Sequence, residues 1–427
     1  MNAISKDMSG PLSSFAQRLN DVEGVERQAA IGALLRTGLP DRHIEAWKYT
    51  SLRPLAAQEF QAPPAQYDAA QAKSLLDNLL SKHDTVQSVP RIVFVNGRFV
   101  KDLSLLPEGV DVSFFSQNNL ASDVQASPDR DPLVALNTAL VEDGATLHVA
   151  KGADAGRVLL ISLGVAGDTA ISFHPRHSVV LEEGAHLSLL SLSAGVGQYF
   201  HNPVMEVTVG ERAKLYHTTL QTEGPQAIAL ATTYVQVAGH GVYNSFALGL
   251  GGLLSRHEVH ARLKAPHAQL HVNGAQNLAE HQVGDITSVI THAASDCTSR
   301  QTVRNVLDGH ARGVFQGKVL VEQVAQKTDG YQMNQALLLS ENAEIDAKPE
   351  LEIYADDVRC SHGATVGALD DDQLFYMRSR GVPEAQARQI LIAAFLDEAL
   401  SLIEDETAQE YCRAMLAIRF SAERKAA

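Results

Sequence analysis

The feature of this sequence that most limits its fold is a short sequence pattern that recurs about every 28 residues through the middle of the chain. The spaced copies are EGAHLSLLSL from Glu183, ERAKLYHTTL from Glu211, GHGVYNSFAL from Gly239 and PHAQLHVNGA from Pro266. Two later segments, HARGVFQGKVLV and ENAEIDAKPELEI, have the same pattern but do not follow the 28-residue spacing. Such a repeat suits the coils of a parallel β-helix, because each coil buries its apolar face only by stacking on the next. A sandwich of two sheets is the competing fold.

The segments on either side of the repeats predict helices. Apolar residues have helical spacing from Leu12 to Leu39, and RIVFVNGRFV reads as a β-hairpin that follows this helical region. Beyond the repeats, Asp370 is a candidate N-cap and Gly381 a candidate C-cap of one helix, and Pro383 opens a second. The second helix has an apolar face too wide for a small tail to bury by itself, so we expect it to pack on this chain or on another.

Charge and hydropathy exclude two classes of partner. The net charge is -15 and no run of Lys or Arg interrupts the acidic excess, so we expect no nucleic-acid partner. The first residues lack the apolar core of a signal peptide, and the longest apolar runs, such as ILIAAFL, are far shorter than a membrane span. We therefore expect a soluble, cytoplasmic protein without a membrane partner.

The chain has three cysteines, Cys297, Cys360 and Cys412, which are far apart in the sequence. This pattern argues for reduced thiols rather than a disulfide framework, and three thiolates are too few for a cluster held by cysteines alone. Cys360 and His362 point to the same side of an extended segment, so both could face one metal ion. Two ligands are not a complete site, and the alternative is a buried thiol and a hydrogen-bonded histidine at the end of a sheet. Cys297 reads as a small core residue.

Signals for other enzyme classes are missing. His257 and His260 invite comparison with a zinc protease, but their spacing is i, i+3 in strand-like sequence, which places them on opposite faces. We therefore expect them to be surface or coil-lining histidines. The sequence has no phosphate-binding GxxxxGK[ST] loop, no GxGxxG after a strand and no GxSxG elbow. The sequence therefore shows no motif for nucleotide hydrolysis or for hydrolysis by a catalytic serine.

Three longer motifs carry a resemblance to a known family. PELEIYADDVRCSHGATVGALDDDQLFYMRSRG, KTDGYQMNQALLLSENAEIDAKP and DRHIEAWKYTSL together resemble the SufB/SufD scaffold family of the SUF iron–sulfur cluster assembly system, in its SufD-like branch. The resemblance runs over nearly the whole chain. It implies a mainly β protein with a right-handed parallel β-helix core between helical domains. The expected divisions are an N-terminal helical domain (1–90), a mixed α/β connection (91–144), the β-helix (145–362) and a C-terminal helical domain (363–427).

The resemblance also implies partners and a role. In the family, a SufD-like chain pairs with a SufB-like chain through their β-helices, and two copies of the SufC ATPase bind the helical C-terminal domains. The histidine of the CSHG motif, here His362, is implied as a ligand for a nascent iron–sulfur cluster that is shared with the SufB-like chain, with Cys360 in a supporting role. This reading also implies help in iron acquisition, a possible homodimer of the isolated chain, and no cluster held stably by that chain alone.

From these observations we expect a non-catalytic scaffold subunit of an ATPase-containing complex, and a carbohydrate-active β-helix enzyme is the alternative. Acidic or arginine side chains lining one groove across neighbouring coils would favour the enzyme. A ligand pair at the end of the β-helix with an apolar helical docking face would favour the scaffold. For docking the ATPase, the sequence suggests the first C-terminal helix, with Leu374, Phe375 and Met377 as central anchors and Arg378 and Arg380 nearer the rim.

Overall fold

The computed structural model describes residues 10–115 and 130–426. Residues 1–9 of the predicted N-terminal domain and 116–129 of the predicted connection lie outside the described residues. The strands are β1 (Arg91–Val95), β2 (Arg98–Phe99), β3 (Asp111–Phe114), β4 (Ala145–Val149), β5 (Asp154–Val165), β6 (Ile171–Phe173), β7 (Arg176–Leu181), β8 (His186–Val196), β9 (Tyr199–His201), β10 (Val204–Val209), β11 (Lys214–Thr222), β12 (Ile228–Val237), β13 (Val242–Gly249), β14 (Leu254–Leu263), β15 (Gln269–Leu278), β16 (Val283–His292), β17 (Thr298–Leu307), β18 (Arg312–Val321), β19 (Asp329–Leu338), β20 (Glu344–Ile353) and β21 (Arg359–Gly367).

The helices lie at the two ends of the sequence and in the connection before β4. They are α1 (Ala16–Asn20), α2 (Val25–Thr37), α3 (Arg53–Ala56), α4 (Ala69–Leu80), α5 (Asp84–Gln87), α6 (Pro132–Leu140), α7 (Asp371–Ser379), α8 (Glu384–Leu400) and α9 (Glu406–Ala426), with short 3-10 helices at Gly10–Phe15, Glu45–Trp47 and Lys101–Leu103. In the described parts of the chain, no helix is both long and apolar enough to cross a membrane.

Successive long strands alternate between two sheets, and this alternation makes the core a parallel β-helix. One sheet has the order β2-β1-β5-β8-β11-β13-β15-β17-β19-β21, and the other β20-β18-β16-β14-β12-β10-β7-β4-β3. The pairs from β5 to β21 and from β4 to β20 are parallel and nearly all in register. The prediction of a β-helix is confirmed and the sandwich alternative is wrong, because a strand pairs with the next strand but one rather than with its neighbour in sequence.

The sequence period is one full coil. The four regularly spaced copies of the sequence pattern lie on β8, β11, β13 and β15, which are consecutive neighbours in one sheet. At the corner that leads into each of these strands, one residue takes a left-handed backbone conformation; the residues are Gly184, Arg212, His240 and His267. The small residue that follows each corner, such as Ala185, Ala213 or Ala268, is buried in the core of the coil.

Strands of the connection extend both sheets. The hairpin of β1 and β2 forms around Asn96, as predicted, and β1 then pairs in parallel with β5. β3 pairs antiparallel with β4 at the start of the other sheet. Thus the residues before Ala145 close the first coil of the β-helix, whereas its last coil ends at β20 and β21.

The C-terminal helices α8 and α9 lie on the outer face of the sheet that contains β21. Leu396, Tyr411 and Phe420 belong to the same buried cluster as Leu192 and Phe246 of the sheet. Arg304 of β17 stacks on the ring of Phe395, with its guanidinium carbon 4.7 Å from the ring centre. The Arg304 guanidinium also donates to the Phe395 carbonyl and to Glu398. α8 buries Ile392, Leu396, Ala399 and Leu400. The apolar face predicted for the second helix is covered only in part, because Ile390 and Leu402 on that face are 43% and 37% exposed.

Candidate functional site at the end of the β-helix

Cys360 and His362 lie on β21, the last strand of its sheet. β21 pairs in parallel with β19, with Cys360 opposite Gly330 and His362 opposite Gln332. In β19 the buried residues alternate, with Gly330 and Gln332 both buried. Because register neighbours in a parallel sheet point to the same side, Cys360 and His362 both face the inner side of the terminal coil. Their predicted placement on one side of a strand agrees with this geometry.

The two side chains differ in how far they are covered. Cys360 is half-buried and packs against the main apolar core of the β-helix, whereas His362 is exposed. Burial raises the pKa of the Cys360 thiol, against the opposing effect of a hydrogen bond with the Gly330 backbone. The thiol is therefore protonated at neutral pH in the absence of a metal ion. His362 presents its imidazole at the open end of the coil.

The other cysteines are remote from this site. Cys297 and Cys412 are both fully buried, Cys297 in the core of the β-helix and Cys412 in α9. Burial raises the pKa of Cys412 to about 12. Among residues 10–115 and 130–426, no three His, Cys, Asp or Glu side chains are grouped so that they could hold a metal ion. A metal at Cys360 and His362 would need further ligands from outside the described residues.

Both sheets end with an open edge at this end of the β-helix. β20 pairs with β18 and β21 with β19, and in the described part of the chain neither has a partner on its other side. Apolar side chains are exposed on the same strands and just after β20: Ile353, Tyr354 and Val366 are 38%, 59% and 55% exposed. Open strand edges with exposed apolar side chains are suited to pairing with another chain.

The predicted docking residues on α7 are not all accessible. Phe375 is 72% exposed and Tyr376 57% exposed, whereas Leu374 is 8% exposed. Met377 is half-buried, and Arg378 and Arg380 are exposed. Arg380 lies over the ring of Tyr376, with its guanidinium carbon 4.8 Å from the ring centre. Arg378 pairs with Glu384 at the start of α8, at 3.3 Å. The accessible aromatic pair on α7 is thus Phe375 and Tyr376. The sequence predicted Phe375 as an anchor but did not single out Tyr376.

Caps fix α7 at both ends, as its sequence predicts. The Asp370 carboxylate accepts hydrogen bonds from the backbone N–H groups of Asp372 and Gln373. Gly381 follows the helix with φ +87, a conformation that a residue with a Cβ atom rarely adopts. α7 is therefore a short, well-defined helix between the terminal coil and α8.

The WKYT motif, Trp47 to Thr50, fastens the N-terminal region to the outer face of the β-helix. Trp47 and Thr50 are buried, and the guanidinium carbon of Arg256 lies 4.0 Å from the centre of the Trp47 ring. The Thr50 hydroxyl donates to the Asp285 carboxylate, which also pairs with Arg256. The motif therefore has a structural role on the sheet that contains β14 and β16, not on the sheet of β21.

Several histidines line the β-helix interior, and the sequence pointed only to His257 among them. A cavity of about 120 Å³ inside the coils is lined in part by His177, His201, His217 and His257. Burial lowers the pKa of His177 and His217 to about 3 and that of His257 to about 4. His260 lies on the opposite face of β14, where it pairs with Glu258 at 2.8 Å. The predicted placement of His257 and His260 on opposite faces is therefore confirmed, but no local signal in the sequence marks the cavity or its other histidines.

Comparison with known proteins identifies the family. A family model for the SUF system FeS cluster assembly SufBD core domain matches residues 164–395, and one for the SufBD protein N-terminal region matches residues 14–161. The chain is 34% identical to the iron–sulfur cluster assembly protein SufD of Escherichia coli, over 91% of this chain and 92% of the relative. It is 32% identical to an iron–sulfur cluster assembly SufBD family protein of Synechocystis, over 88% and 87% of the two chains. It is 28% identical to the chloroplastic protein ABCI7 of Arabidopsis thaliana, over 91% and 84%.

Proposed function

Because this chain belongs to the SufBD family of the SUF iron–sulfur cluster assembly system, and is similar to SufD along most of its length, we propose that it is a non-catalytic scaffold subunit on which clusters are built. It pairs with a SufB-like chain through the end of its β-helix and contributes His362 to the nascent cluster, which is cargo rather than a resident cofactor. The observation that carries the proposal is the position of His362, exposed on the inner side of an edge strand where another chain could complete its site.

The pairing surface is formed by β20 and β21. An incoming strand could hydrogen-bond to either open edge, while Ile353, Tyr354 and Val366 supply apolar area that pairing would remove from water. A SufB-like chain would then bring the remaining ligands opposite His362, with Cys360 in a supporting role. The same edges would allow the isolated chain to form a homodimer. Local supply of ligands at such an interface is also how the chain would assist in acquiring iron.

The SufC ATPase is proposed to dock on α7. Phe375 and Tyr376 are large, exposed and adjacent, and Arg378 and Arg380 lie beside them, which matches the aromatic and arginine composition of binding hot spots. Three unpaired cysteines support a reducing compartment, and we place the complex in the cytoplasm. No observation favours the carbohydrate-active alternative: outward acidic residues of β20 are tied to basic partners, as in the pairs Asp346–Arg312 and Glu352–Lys318.

The pairing is tested by co-purification with SufB-like and SufC-like partners. Val366→Asp places a charge on the exposed inner side of β21, and Thr365→Asp places the same charge on the other side of the same strand as a control. We expect Val366→Asp to reduce recovery of the SufB-like chain while recovery of the ATPase persists, and Thr365→Asp to reduce it much less. Equal recovery of the SufB-like chain by both variants and the wild type would contradict pairing through this end.

A further inference from the structure

Gln332 lies on the inner side of β19, directly beneath His362 in the register of the terminal coils. Its side chain is fully buried, and neither its amide nitrogen nor its amide oxygen has a hydrogen-bond partner among the described residues. A buried amide that makes no hydrogen bond is costly, so it marks a place where a partner is expected. In the terminal coil, the side chain in register with Gln332 is that of His362.

The neighbours of Gln332 on its inner side leave room for its amide but do not satisfy it. On the facing sheet Gly317 has no side chain, and a Cβ atom there would come within 3.2 Å of the Gln332 amide nitrogen. One coil further in, Gln301 occupies the same column, and its amide oxygen accepts a hydrogen bond from Ser288. Gln301 is therefore engaged through its amide oxygen, although its amide nitrogen has no partner among the described residues, whereas neither polar atom of the Gln332 amide is engaged.

We propose that Gln332 is a positioning residue for His362. This inference rests on the proposed role of His362 as a ligand. Rotation of the exposed imidazole over Gln332 allows one ring N–H to donate to the amide oxygen, which fixes the tautomer and leaves the other ring nitrogen directed at the cluster. Metal-binding histidines characteristically donate their second N–H to such an acceptor, and loss of that acceptor typically lowers metal affinity or activity by about 10- to 100-fold.

The test uses the complex with SufB-like and SufC-like chains and measures cluster formation per assembled complex. Gln332→Met keeps the approximate volume and removes the amide, and Gln332→Glu keeps an acceptor oxygen. Gln301→Met makes the same change one coil further from His362. We expect Gln332→Met to lower cluster formation about tenfold or more without loss of assembled complex, Gln332→Glu to recover a substantial part of it, and Gln301→Met to stay near the wild type.

A second comparison separates positioning from packing. If Gln332 acts through His362, the double variant His362→Ala/Gln332→Met forms no less cluster than His362→Ala alone. Wild-type output from Gln332→Met, in a complex that His362→Ala inactivates, would overturn this inference and leave the proposed function intact. Equal losses in Gln332→Met and Gln301→Met that follow the loss of folded complex would also overturn it. Wild-type output from His362→Ala would instead overturn the proposed ligand itself.

Discussion

Arg256 lies flat against Trp47, with its guanidinium carbon 4.0 Å from the centre of the indole ring, although 208 other residues separate the two in the chain. Arg256 is 2% exposed and is held by Asp285 and Glu258 as well as by the ring. A cation on an aromatic face is attracted more strongly when both groups are removed from water. This contact joins the N-terminal region to β14 and explains why the WKYT motif carries a large aromatic residue.

Trp47→Ala should destabilise the protein substantially. The substitution removes a large, 93% buried aromatic side chain and uncovers the Arg256 guanidinium, and comparable truncations cost about 3 to 5 kcal/mol of unfolding free energy. Lys48→Ala, at the exposed neighbouring position, is the matched control and should change it by less than about 0.5 kcal/mol. Denaturant unfolding measures both, and similar values for the two variants would contradict a fastening role for Trp47.

Acid should weaken the fold through the interior histidines. The folded-state pKa of His177 and of His217 is about 3, below the value near 6.5 of an unfolded chain. The unfolded state therefore binds more protons between these values, so the stabilisation is complete above about pH 6.5 and is lost as pH falls toward 3. When the pH falls from 7 to 5, protonation of the unfolded state should lower the free energy of unfolding by about 2 kcal/mol for each of the two histidines.

Urea unfolding at the two pH values measures this loss, with His217→Gln as the comparison. The variant removes the titrating ring and should show a smaller decrease between pH 7 and pH 5 than the wild type. His43→Gln, whose ring is exposed on the surface, should retain the full wild-type decrease. A decrease in His217→Gln as large as that of the wild type would contradict the assignment to the buried ring.

The sequence predicts the coil better than the contacts between coils. The 28-residue period and the caps Asp370 and Gly381 are local, and the structure confirms each of them. The position of Gln332 beneath His362 and that of Trp47 on Arg256 depend on register and on long-range packing, which leave no pattern in the sequence. The apolar residues of α8 predict that the helix packs on a surface but not which of them it buries: Leu396 and Leu400 are buried, whereas Ile390 is 43% exposed.

Phe375 on α7 should be an anchor for the ATPase. Phe375→Ala removes an exposed ring without disturbing the core, so we expect unchanged unfolding free energy and binding of a SufC-like protein weakened by about 2 kcal/mol or more. Gln373→Ala, also exposed on α7, is the control and should bind nearly as the wild type. Calorimetric titration gives the affinities, and equal affinity for the wild type and Phe375→Ala would remove Phe375 from the interface.

Point substitutions are preferable here to deletion of residues 370–427. α8 and α9 contribute Leu396, Tyr411 and Phe420 to a cluster shared with the β-helix, so their removal would uncover a broad apolar surface. Loss of ATPase binding by such a deletion could then reflect an altered β-helix rather than a missing docking helix. Leu374→Ala illustrates the distinction, because that side chain is 8% exposed and its loss is expected to lower stability.

The isolated chain should hold no stable iron–sulfur cluster. Cys297 and Cys412 are fully buried at separate places, so Cys360 is the one partly accessible thiol in the described residues. A cluster held by cysteines normally takes four thiolates. After anaerobic reconstitution and desalting, the chain should show no stoichiometric cluster absorbance, whereas the complex with the proposed SufB-like partner should retain it. Absorbance retained by the lone chain would contradict a site completed by a second chain.

Substitutions of His362 and Cys360 should have different effects: the first should lower cluster formation, and the second should lower stability. His362→Ala removes the proposed ligand, whose side chain is exposed, so the complex should still assemble while cluster formation per complex falls about tenfold or more. Ser361→Ala, on the other side of β21, should leave cluster formation near that of the wild type. Cys360→Ser replaces a half-buried thiol with a hydroxyl that is more costly to desolvate, by about 1 kcal/mol, so any loss of output should follow reduced stability. Co-expression with both partners, with iron and sulfide measured per assembled complex, decides between the residues. Wild-type output from His362→Ala together with lost output from stable Cys360→Ser would make Cys360 the functional ligand instead.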